Sequence, residues 1–413
     1  MIPRLSPPFD LGDALALCRG LVTSGGVAAF ETAMAAYTKK SHALAFPHGR
    51  SGFLAFIRAM GWKDREIVLP AYTCVVMPNV ILASGNRPRF VDIELGNFNA
   101  SWNSLSQAIT SQAACVVPTH CYGFPAEVAE AQPPQGGPPA YTLLQDCALA
   151  FGATKNGLPV WRDGLAALFS FSIGKHISCV EGGMIVTDDD DLAREMLRIR
   201  DITFSRPMLS RSLAQSAFFF ASWLGLTPFV YGLVHFLATK TPLLNFLTDY
   251  YDEDAVRMPS SLTEHLPECL GVLGARQVTS IERIVARKRY IASRYLKALE
   301  GVSGITPPPF IEGASWSHFP CLVDDRRSFL SYMFGKGIHV GIEVFNYSIP
   351  DMPLYRPFAH DGVFPNTRHV AAHLVLIPNH ARLSDAHVER IARALSHYQN
   401  QRGTRRHDLP HRC

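Results

Sequence analysis

The sequence predicts an α/β fold with a mixed, mostly parallel β-sheet, followed by a smaller α+β unit. As far as about residue 155, short apolar segments typical of buried strands alternate with segments whose apolar residues recur at helical spacing. Such alternation is typical of βαβ units, whose parallel sheets carry helices on their faces. Beyond this part, a helix-rich stretch and shorter mixed segments indicate a second unit of different architecture.

The elements of the larger part follow one another along the chain. Gly52–Gly61 is helical in spacing and is opened by Gly49-Arg50-Ser51. Further helices are predicted over Val75–Ser84 and Asp190–Arg200. The loop between the last two predicted strands contains Lys175. Strands are predicted at Ile67–Pro70, Arg89–Asp92, Cys115–Pro118, Tyr141–Asp146, Leu168–Phe171 and Met184–Thr187.

Helices dominate the next part of the chain, over Ser261–Glu300, where apolar residues recur at helical spacing with basic residues between them. The smaller unit is indicated by the segments Ser317–Val323, Ser328–Gly337 and His339–Phe345. It closes with a helix over Ser384–Tyr398, whose first residue is a suitable N-cap.

These patterns divide the chain into four parts. We expect an N-terminal segment (1–40), a large domain (41–256) with an apolar insertion at about 205–256, a small C-terminal domain (257–400) and a basic tail (401–413). The tail holds much of the net charge of +4, which results from 39 Lys and Arg against 35 Asp and Glu. A body this close to neutral lacks the basic patch typical of nucleic-acid binding, so we expect no such partner.

The cysteines and the first residues favour a cytoplasmic protein. The 9 cysteines are scattered and show no CxxC spacing, which indicates reduced thiols rather than a disulfide framework or a zinc site. We therefore expect no metal. The segment MIPRLSPPFDLGDAL lacks the apolar stretch and cleavage site of a signal peptide.

Chemistry-bearing residues are expected where strands end, because ligands of such sheets bind beyond the carboxyl ends of the strands. Asp92, His120 and Asp146 lie at or just beyond such ends. Lys175 follows in an apolar loop, where desolvation lowers the pKa of an amine and makes it a usable nucleophile. Pyridoxal phosphate requires such a lysine, for an imine, and such a carboxylate, for its pyridine nitrogen. Because both residues also occur together by chance, they alone leave the cofactor open.

A series of longer sequence segments bears on the choice of cofactor. Segments in the order and at the spacing of a known family are HGRSGFLAFIRAMG (48–61), VLPAYTCVVMPNVILASGNRPRFVDIE (68–94), VVPTHCYGFPA (116–126), LLQDCALAFGA (143–153), FSFSIGKHISCVEGGMIVTDD (169–189), WSHFPCLV (316–323) and PNHARLSDAHVERI (378–391). Except for about residues 205–256, the chain resembles the DegT/DnrJ/EryC1/StrS family of pyridoxal-phosphate aminotransferases. The resemblance implies the aspartate-aminotransferase fold (fold type I), with a large cofactor-binding domain, a smaller α+β domain and an active site built across a homodimer.

The resemblance also implies roles for particular residues. It places the Schiff-base lysine at Lys175 and the carboxylate on the pyridine nitrogen at Asp146. Ser170 matches the serine that contacts the cofactor phosphate. Gly49-Arg50-Ser51 matches the turn that opens the first helix, whose N–H groups would hold that phosphate.

Three further matches concern the substrate side. Glu181 lies in the EGG turn of the family and is interpreted either as structural or as substrate-binding. His120, in the H-x-YG turn, is either a substrate-side or a packing residue. His318, within WSHFPCLV, is assigned to the substrate side.

The chain departs from the family at three positions. The aromatic residue that commonly stacks on the cofactor ring is replaced by Cys74, and the third residue after Asp146, commonly polar, is Leu149. The position of the asparagine that the partner subunit usually supplies is occupied by Ala255. These changes put cofactor affinity and reaction outcome in question, but not the bond to the lysine.

The insertion contains no charged residue over 212–239. This length would suffice to span a membrane, but a single crossing would separate Lys175 from the C-terminal unit with which it must meet. Pro228, with Gly225 and Gly232, instead predicts a break into two short helices. Three locations stay open: a hairpin that dips into the inner face of the membrane, a hairpin packed against the body or the dimer partner, and the wall of a hydrophobic acceptor tunnel.

Taken together, these features predict an aminotransferase that uses pyridoxal phosphate and small-molecule substrates. The resemblance implies transfer of an amino group, usually from glutamate, to the keto group of a nucleotide-linked keto-deoxy sugar for glycans or secondary metabolites. Members that dehydrate instead replace the lysine, which is retained here as Lys175. The alternatives are a lyase, decarboxylase or condensing enzyme that uses the same cofactor on a non-sugar or lipid-linked substrate, and a non-catalytic regulator.

Overall fold

The computed structural model describes residues 1–128, 141–240, 254–342, 346–359 and 362–398. The strands of the described part are β1 His42–Phe46, β2 Glu66–Pro70, β3 Arg87–Val91, β4 Ala113–Val116, β5 Thr142–Asp146, β6 Thr154–Lys155, β7 Leu158–Pro159, β8 Ala166–Ser170, β9 Gly183–Thr187, β10 Ile305–Thr306, β11 Phe319–Val323 and β12 Leu374–Ile377. Its α-helices are α1 Leu11–Gly20, α2 Gly26–Thr38, α3 Gly49–Ala59, α4 Val76–Ala83, α5 Trp102–Gln107, α6 Asp190–Thr203, α7 Leu209–Gly225, α8 Tyr231–Lys240, α9 Glu268–Val278, α10 Ile281–Ala298, α11 Arg326–Gly335, α12 Pro365–His373 and α13 Asp385–Ser396.

A seven-stranded sheet in the order β1-β9-β8-β5-β4-β2-β3 forms the centre of the larger part. The strands β8, β5, β4, β2 and β3 pair in parallel, whereas β9 runs antiparallel to both β1 and β8. The prediction of a mixed, mostly parallel sheet is therefore confirmed. Because the parallel strands point the same way, their carboxyl ends meet at one edge of the sheet.

The smaller sheet lies near the C-terminus. Its strands run in the order β10-β11-β12 and are antiparallel throughout. The helix α10 connects its core to that of the large sheet, because Ile284 packs in the large core whereas Ile291 and Tyr295 pack in the small one. The segment 343–345 of the predicted His339–Phe345 element and the predicted basic tail (401–413) lie outside the described residues.

The described part of the insertion forms two successive helices, with a break at the predicted Pro228. The helix α7 ends at Gly225 and α8 begins at Tyr231. One face packs on the body, where the Phe219 ring lies 4.3 Å from that of Phe9. The opposite face exposes apolar side chains, and Phe229 between the helices is 97% exposed. Among the described residues, no helix combines the length and the apolar character needed to cross a membrane.

Candidate active site

Asp146 is the last residue of β5 and lies at the carboxyl edge of the sheet. Its side chain is buried, with 4% exposure, and its Oδ1 accepts a hydrogen bond from the Ala148 N–H at 3.0 Å. Burial raises the pKa of this carboxyl, while the Ala148 N–H, the Lys175 amine and the Thr119 hydroxyl oppose the shift. The hydrogen bond orients the carboxylate, and the raised pKa indicates that nearby charge does not fully offset its burial. A ligand cation at this position would supply the missing charge.

Lys175 lies in the loop between β8 and β9. The loop turns at Gly174, whose φ of 96° falls in the left-handed region that favours glycine. Burial lowers the pKa of the Lys175 amine, and the nearby Cys74, Asp146 and Cys121 oppose this shift. Since Lys175 and Asp146 each shift the pKa of the other, the structure brings together the two residues that the sequence predicted to carry the chemistry.

The start of α3 is the candidate anion-binding cradle. No side chain caps this helix, and in the described structure the N–H groups of Gly49 and Arg50 have no partner within the helix, whereas the Ser51 N–H donates to the His48 carbonyl at 3.1 Å. The Ser51 hydroxyl is buried without a hydrogen-bond partner in the described structure. Ser170 borders the cradle, because a Cβ placed on Gly49 would lie 3.7 Å from its Cβ. A phosphate would satisfy these donors and interact favourably with the helix dipole.

Gly183 allows the cradle to form. A Cβ at this position would lie 2.2 Å from the Gly49 nitrogen and 2.3 Å from the His48 carbonyl carbon, so only glycine lets β9 pack this closely on the start of α3. The EGG turn that the sequence singled out therefore has a geometric function at its last residue.

Arg50 supplies positive charge at the same place. The pKa of the neighbouring His48 imidazole is lowered to about 3, first by burial and then by the charges of Arg50 and Arg211. His48 is therefore neutral, and its Nε2 forms a hydrogen bond with the Ser261 hydroxyl at 2.8 Å. The charge available to a phosphate comes from the Arg50 guanidinium and not from the imidazole.

The position predicted for a stacking aromatic is occupied by Cys74. Cys74 is half-buried there and contributes to the surroundings of the Lys175 amine. Leu149 is buried in the hydrophobic core, and Ala255 is exposed. Tyr72, two residues before Cys74, forms a buried pair with Tyr122, and the two hydroxyls are 2.6 Å apart.

His120 is fully engaged within the fold. Its Nε2 lies 3.1 Å from Gln145 Oε1, and its Nδ1 accepts a hydrogen bond from the Ala126 N–H at 2.9 Å. The backbone N–H of His120 also donates to the Asp146 carbonyl at 3.2 Å. Of the two interpretations that the sequence left open, this arrangement favours packing, with His120 positioning the strand end that carries Asp146.

Glu181 belongs to an ion-pair chain that ties the lysine loop to the insertion. It pairs with Arg211 of α7, and Arg211 also lies 3.1 Å from the Glu264 carboxylate. Burial raises the pKa of the Glu181 carboxyl, which the Arg211 charge opposes. These contacts favour the structural role for Glu181.

His318, by contrast, lies beside Lys175. Both residues line a cavity that also contains His176, Lys288 and His380. The His318 ring makes an edge contact with Tyr122 at 5.9 Å, and its Nδ1 lies 3.1 Å from the Ser317 hydroxyl. This position agrees with the assignment of His318 to the substrate side.

Three residues near the site, Thr119, Arg211 and Lys288, were not predicted from the sequence. The contacts of Thr119 with Asp146 and of Arg211 with Glu181 join segments that are far apart in the sequence, so no local pattern predicts them. Lys288 did leave a signal: it falls on the apolar stripe of α10, four residues after Ile284 and three before Ile291, where a lysine is unexpected.

The comparisons with known proteins agree with this geometry. The sequence model of the DegT/DnrJ/EryC1/StrS aminotransferase family matches residues 16–225 and 248–396. The chain belongs to this family. The interval between the two matched ranges falls within the insertion, which the resemblance of the sequence had also left out.

Solved structures share the fold. The E coli GDP-4-keto-6-deoxy-D-mannose-3-dehydratase with bound hydrated PLP has a TM-score of 0.74 at 20% identity, covering 96% of this chain and 99% of that one. The aminotransferase TlmJ from Streptoalloteichus hindustanus has a TM-score of 0.72 at 20% identity, with coverages of 96% and 98%. Helicobacter pylori PseC, an aminotransferase involved in the biosynthesis of pseudoaminic acid, has a TM-score of 0.71 at 19% identity, with coverages of 95% and 98%.

The site fits pyridoxal phosphate, the cofactor of the family. The orphaned Ser51 hydroxyl and the uncapped start of α3 match its phosphate, and the carboxylate of Asp146 matches its pyridine nitrogen. The Lys175 amine matches its aldehyde. The fit is weakest at the ring face, where Cys74 offers little stacking surface.

Proposed function

We propose that the protein transfers an amino group to the keto group of a nucleotide-linked keto-deoxy sugar, with glutamate as the amino donor. The observation that carries the proposal is the Lys175 amine, desolvated by burial and beside the buried Asp146 carboxylate. Amino transfer requires a base that moves a proton between two carbon atoms, and an unprotonated lysine is suited to this step. Members of the family that dehydrate replace this lysine, so Lys175 favours transfer over dehydration.

When bound, pyridoxal phosphate supplies an aldehyde that carries the amino group and a ring that accepts electrons. The chain supplies the remaining steps. The Asp146 carboxylate holds a proton on the ring nitrogen and keeps its position through the Ala148 N–H. Once the donor amine has displaced it, the Lys175 amine would take a proton from the α-carbon of the donor. It would deliver this proton to the carbon that came from the cofactor aldehyde. Its lowered pKa increases the neutral fraction available for this transfer.

The proposed acceptor class, a nucleotide-linked sugar, is supported by the names of similar proteins. Two of the structures above act on, or make, modified sugars by their printed names. Glutamate is proposed as the amino donor because the resemblance to the family implies it.

The test is the isolated half-reaction. Glutamate added to the cofactor-loaded protein should convert the absorbance of the aldehyde form to that of the amine form, with release of one 2-oxoglutarate per site. The Lys175→Ala variant should not complete the conversion, whereas Lys63→Ala, the same change at an exposed lysine before β2, should behave as wild type. Release of carbon dioxide or ammonia instead of 2-oxoglutarate would favour the lyase or decarboxylase alternative and contradict the proposal.

We further propose a homodimer, because the family builds its active site between two subunits and Ala255, at the position of the residue that the partner usually supplies, is exposed. Sedimentation equilibrium of the loaded protein should give twice the chain mass of 45.6 kDa. A monomer that still completes the half-reaction would contradict this part of the proposal.

We also propose that the exposed face of α7, α8 and the turn between them contacts the inner face of the membrane. The exposed apolar side chains of this face are Leu213, Phe218, Phe220, Leu224, Phe229, Leu233 and Phe236. Both helices are too short to span, and aromatic residues suit the boundary of water and lipid. In liposome flotation the wild type and Leu158→Ser, an exposed change elsewhere, should rise with the vesicles, whereas the double variant Phe229→Ser/Phe236→Ser should not. A wild type that stays at the bottom would contradict membrane contact.

A further inference from the structure

A small polar cavity lies next to Lys175, on the side of the N-terminal segment and the small sheet. It has a volume of about 30 Å³. Three histidines and the basic residues Arg4, Lys175 and Lys288 line it, and no carboxylate is found among its described lining residues. The lining is thus biased toward positive charge.

Lys288 is the central charged group of this cavity. It projects from α10, is buried, and donates hydrogen bonds to the backbone carbonyls of Ser317 at 2.7 Å and Asn379 at 2.9 Å. An ammonium has three N–H donors, so one remains for a ligand. Burial lowers the Lys288 pKa to about 7, since no carboxylate offsets the desolvation. A buried lysine without an anion is unusual, because such charges are normally paired.

The imidazoles of the cavity are also incompletely paired. The Nε2 atoms of His176 and His380 lie 3.2 Å and 3.3 Å from the carbonyls of Ser315 and Pro3, so both Nε2 atoms donate. Their Nδ1 atoms and the Asn379 Oδ1 are buried without partners in the described structure. Burial and the Lys288 charge hold both histidine pKa values below the ordinary range. These three atoms are acceptors while the rings are neutral, so the donors for an entering anion are the Lys288 ammonium and any ring that takes up a proton as the anion binds.

We propose that this cavity binds a carboxylate of the amino donor, with Lys288 as its counter-charge. The inference rests on the proposed function and assigns a donor subsite within it. A volume of about 30 Å³ holds roughly two waters, which is the size of a carboxylate group. Lys175 and His318 line the same cavity, so a donor held there would have its amine near the lysine that it displaces.

The test uses glutarate, a dicarboxylate without the reactive amine, titrated into the cofactor-loaded protein by calorimetry. Loss of one charge-assisted hydrogen bond in a buried site corresponds to about a tenfold to hundredfold change in affinity. Lys288→Met should therefore bind glutarate at least about tenfold more weakly than wild type. Lys297→Met makes the same change at a more exposed position of α10 and should bind as wild type.

A second variant keeps Lys288 in place. Asn379→Asp has nearly the same shape but provides an internal carboxylate beside the ammonium, although it gives up the amide hydrogen bond to the Trp316 carbonyl. It should also lose glutarate affinity by at least about tenfold, and it decides the question if Lys288→Met does not fold. In Lys288→Met the half-reaction with glutamate should saturate at a higher concentration with little change in limiting rate.

The outcomes separate this inference from the proposed function. The inference is overturned if wild type does not bind glutarate, if the Asn379→Asp and Lys288→Met variants bind it as wild type does, or if Lys288 governs the binding of pyrophosphate instead. If glutarate binding depends on Lys288 but no amino donor reacts, the carboxylate site stands and the proposed function fails. If glutamate reacts but its saturation is independent of Lys288, the proposed function stands and this inference fails.

Discussion

The substitution Asp146→Asn separates a functional carboxylate from a structural one, because the two roles predict opposite effects. Asparagine keeps the oxygen that accepts the Ala148 N–H and removes only the charge. Removing one partner of a buried charge pair is destabilising by about 3–5 kcal/mol. If that energy is lost from the reacting state, the half-reaction should slow by about a hundredfold to several thousandfold.

The stability of the cofactor-free protein should change in the other direction. Burial raises the folded-state pKa of Asp146 above that of the unfolded chain. The folded protein therefore binds more protons over this interval, and its stability falls as pH rises through the folded-state pKa. The Asp146→Asn variant carries no ionisable group at this position and escapes the penalty. At pH 7 its cofactor-free form should therefore melt at the same temperature as wild type or higher.

Stopped-flow absorbance with glutamate measures the rate, and calorimetry of the cofactor-free protein measures the melting temperature. Asp188→Asn is the matched control outside the site. Weak burial raises the pKa of the Asp188 carboxyl, but hydrogen bonds from Lys40 and Ser41 and the charge of Lys40 lower this pKa overall. This control should keep the wild-type rate. A rate for Asp146→Asn within about tenfold of wild type, or a clear loss of stability without cofactor, would exclude the proposed role of the carboxylate.

Three further changes test other parts of the site. Gly183→Ala should displace the start of α3, because its Cβ would lie 2.2 Å from the Gly49 nitrogen, and should weaken cofactor binding by at least about tenfold in a fluorescence titration; affinity equal to wild type would contradict the proposed cradle. Cys74→Tyr should restore stacking and tighten cofactor binding by about twofold to tenfold, and unchanged binding in the same titration would place the ring elsewhere. Arg211→Met should raise the pKa of Glu181 further, so its melting temperature relative to wild type should fall as the pH rises toward the raised pKa of Glu181; a difference independent of pH would exclude this ion pair as the cause.

Local patterns in the sequence were sufficient to predict the main sheet and the position of the lysine. The strands around Asp146 and Lys175 are short, continuous apolar segments between glycines and loops, and the structure has them within one or a few residues of the predicted bounds. The break at Pro228 was predictable because proline cannot continue a helix without losing a hydrogen bond.

Long-range pairing was not predictable in the same way. The edge strand β1 was missed because it exists through its register with β9, in which His42 lies opposite Thr187, and not through a distinctive local pattern. The partner of Glu181 was missed because Arg211 lies on an insertion whose packing no local pattern specifies. Lys288 was predictable in principle, because it falls among the apolar residues that α10 buries. A lysine is rarely buried, so its position there points to a specific interaction.

Identifying the lysine that carries the cofactor tests the proposed chemistry at its source. The protein loaded with pyridoxal phosphate is reduced with borohydride, digested and analysed by mass spectrometry. We expect the reduced cofactor to be attached to Lys175, and prior conversion with glutamate to prevent the attachment. Attachment at another lysine, or loaded protein that borohydride leaves unmodified, would contradict the assignment of Lys175.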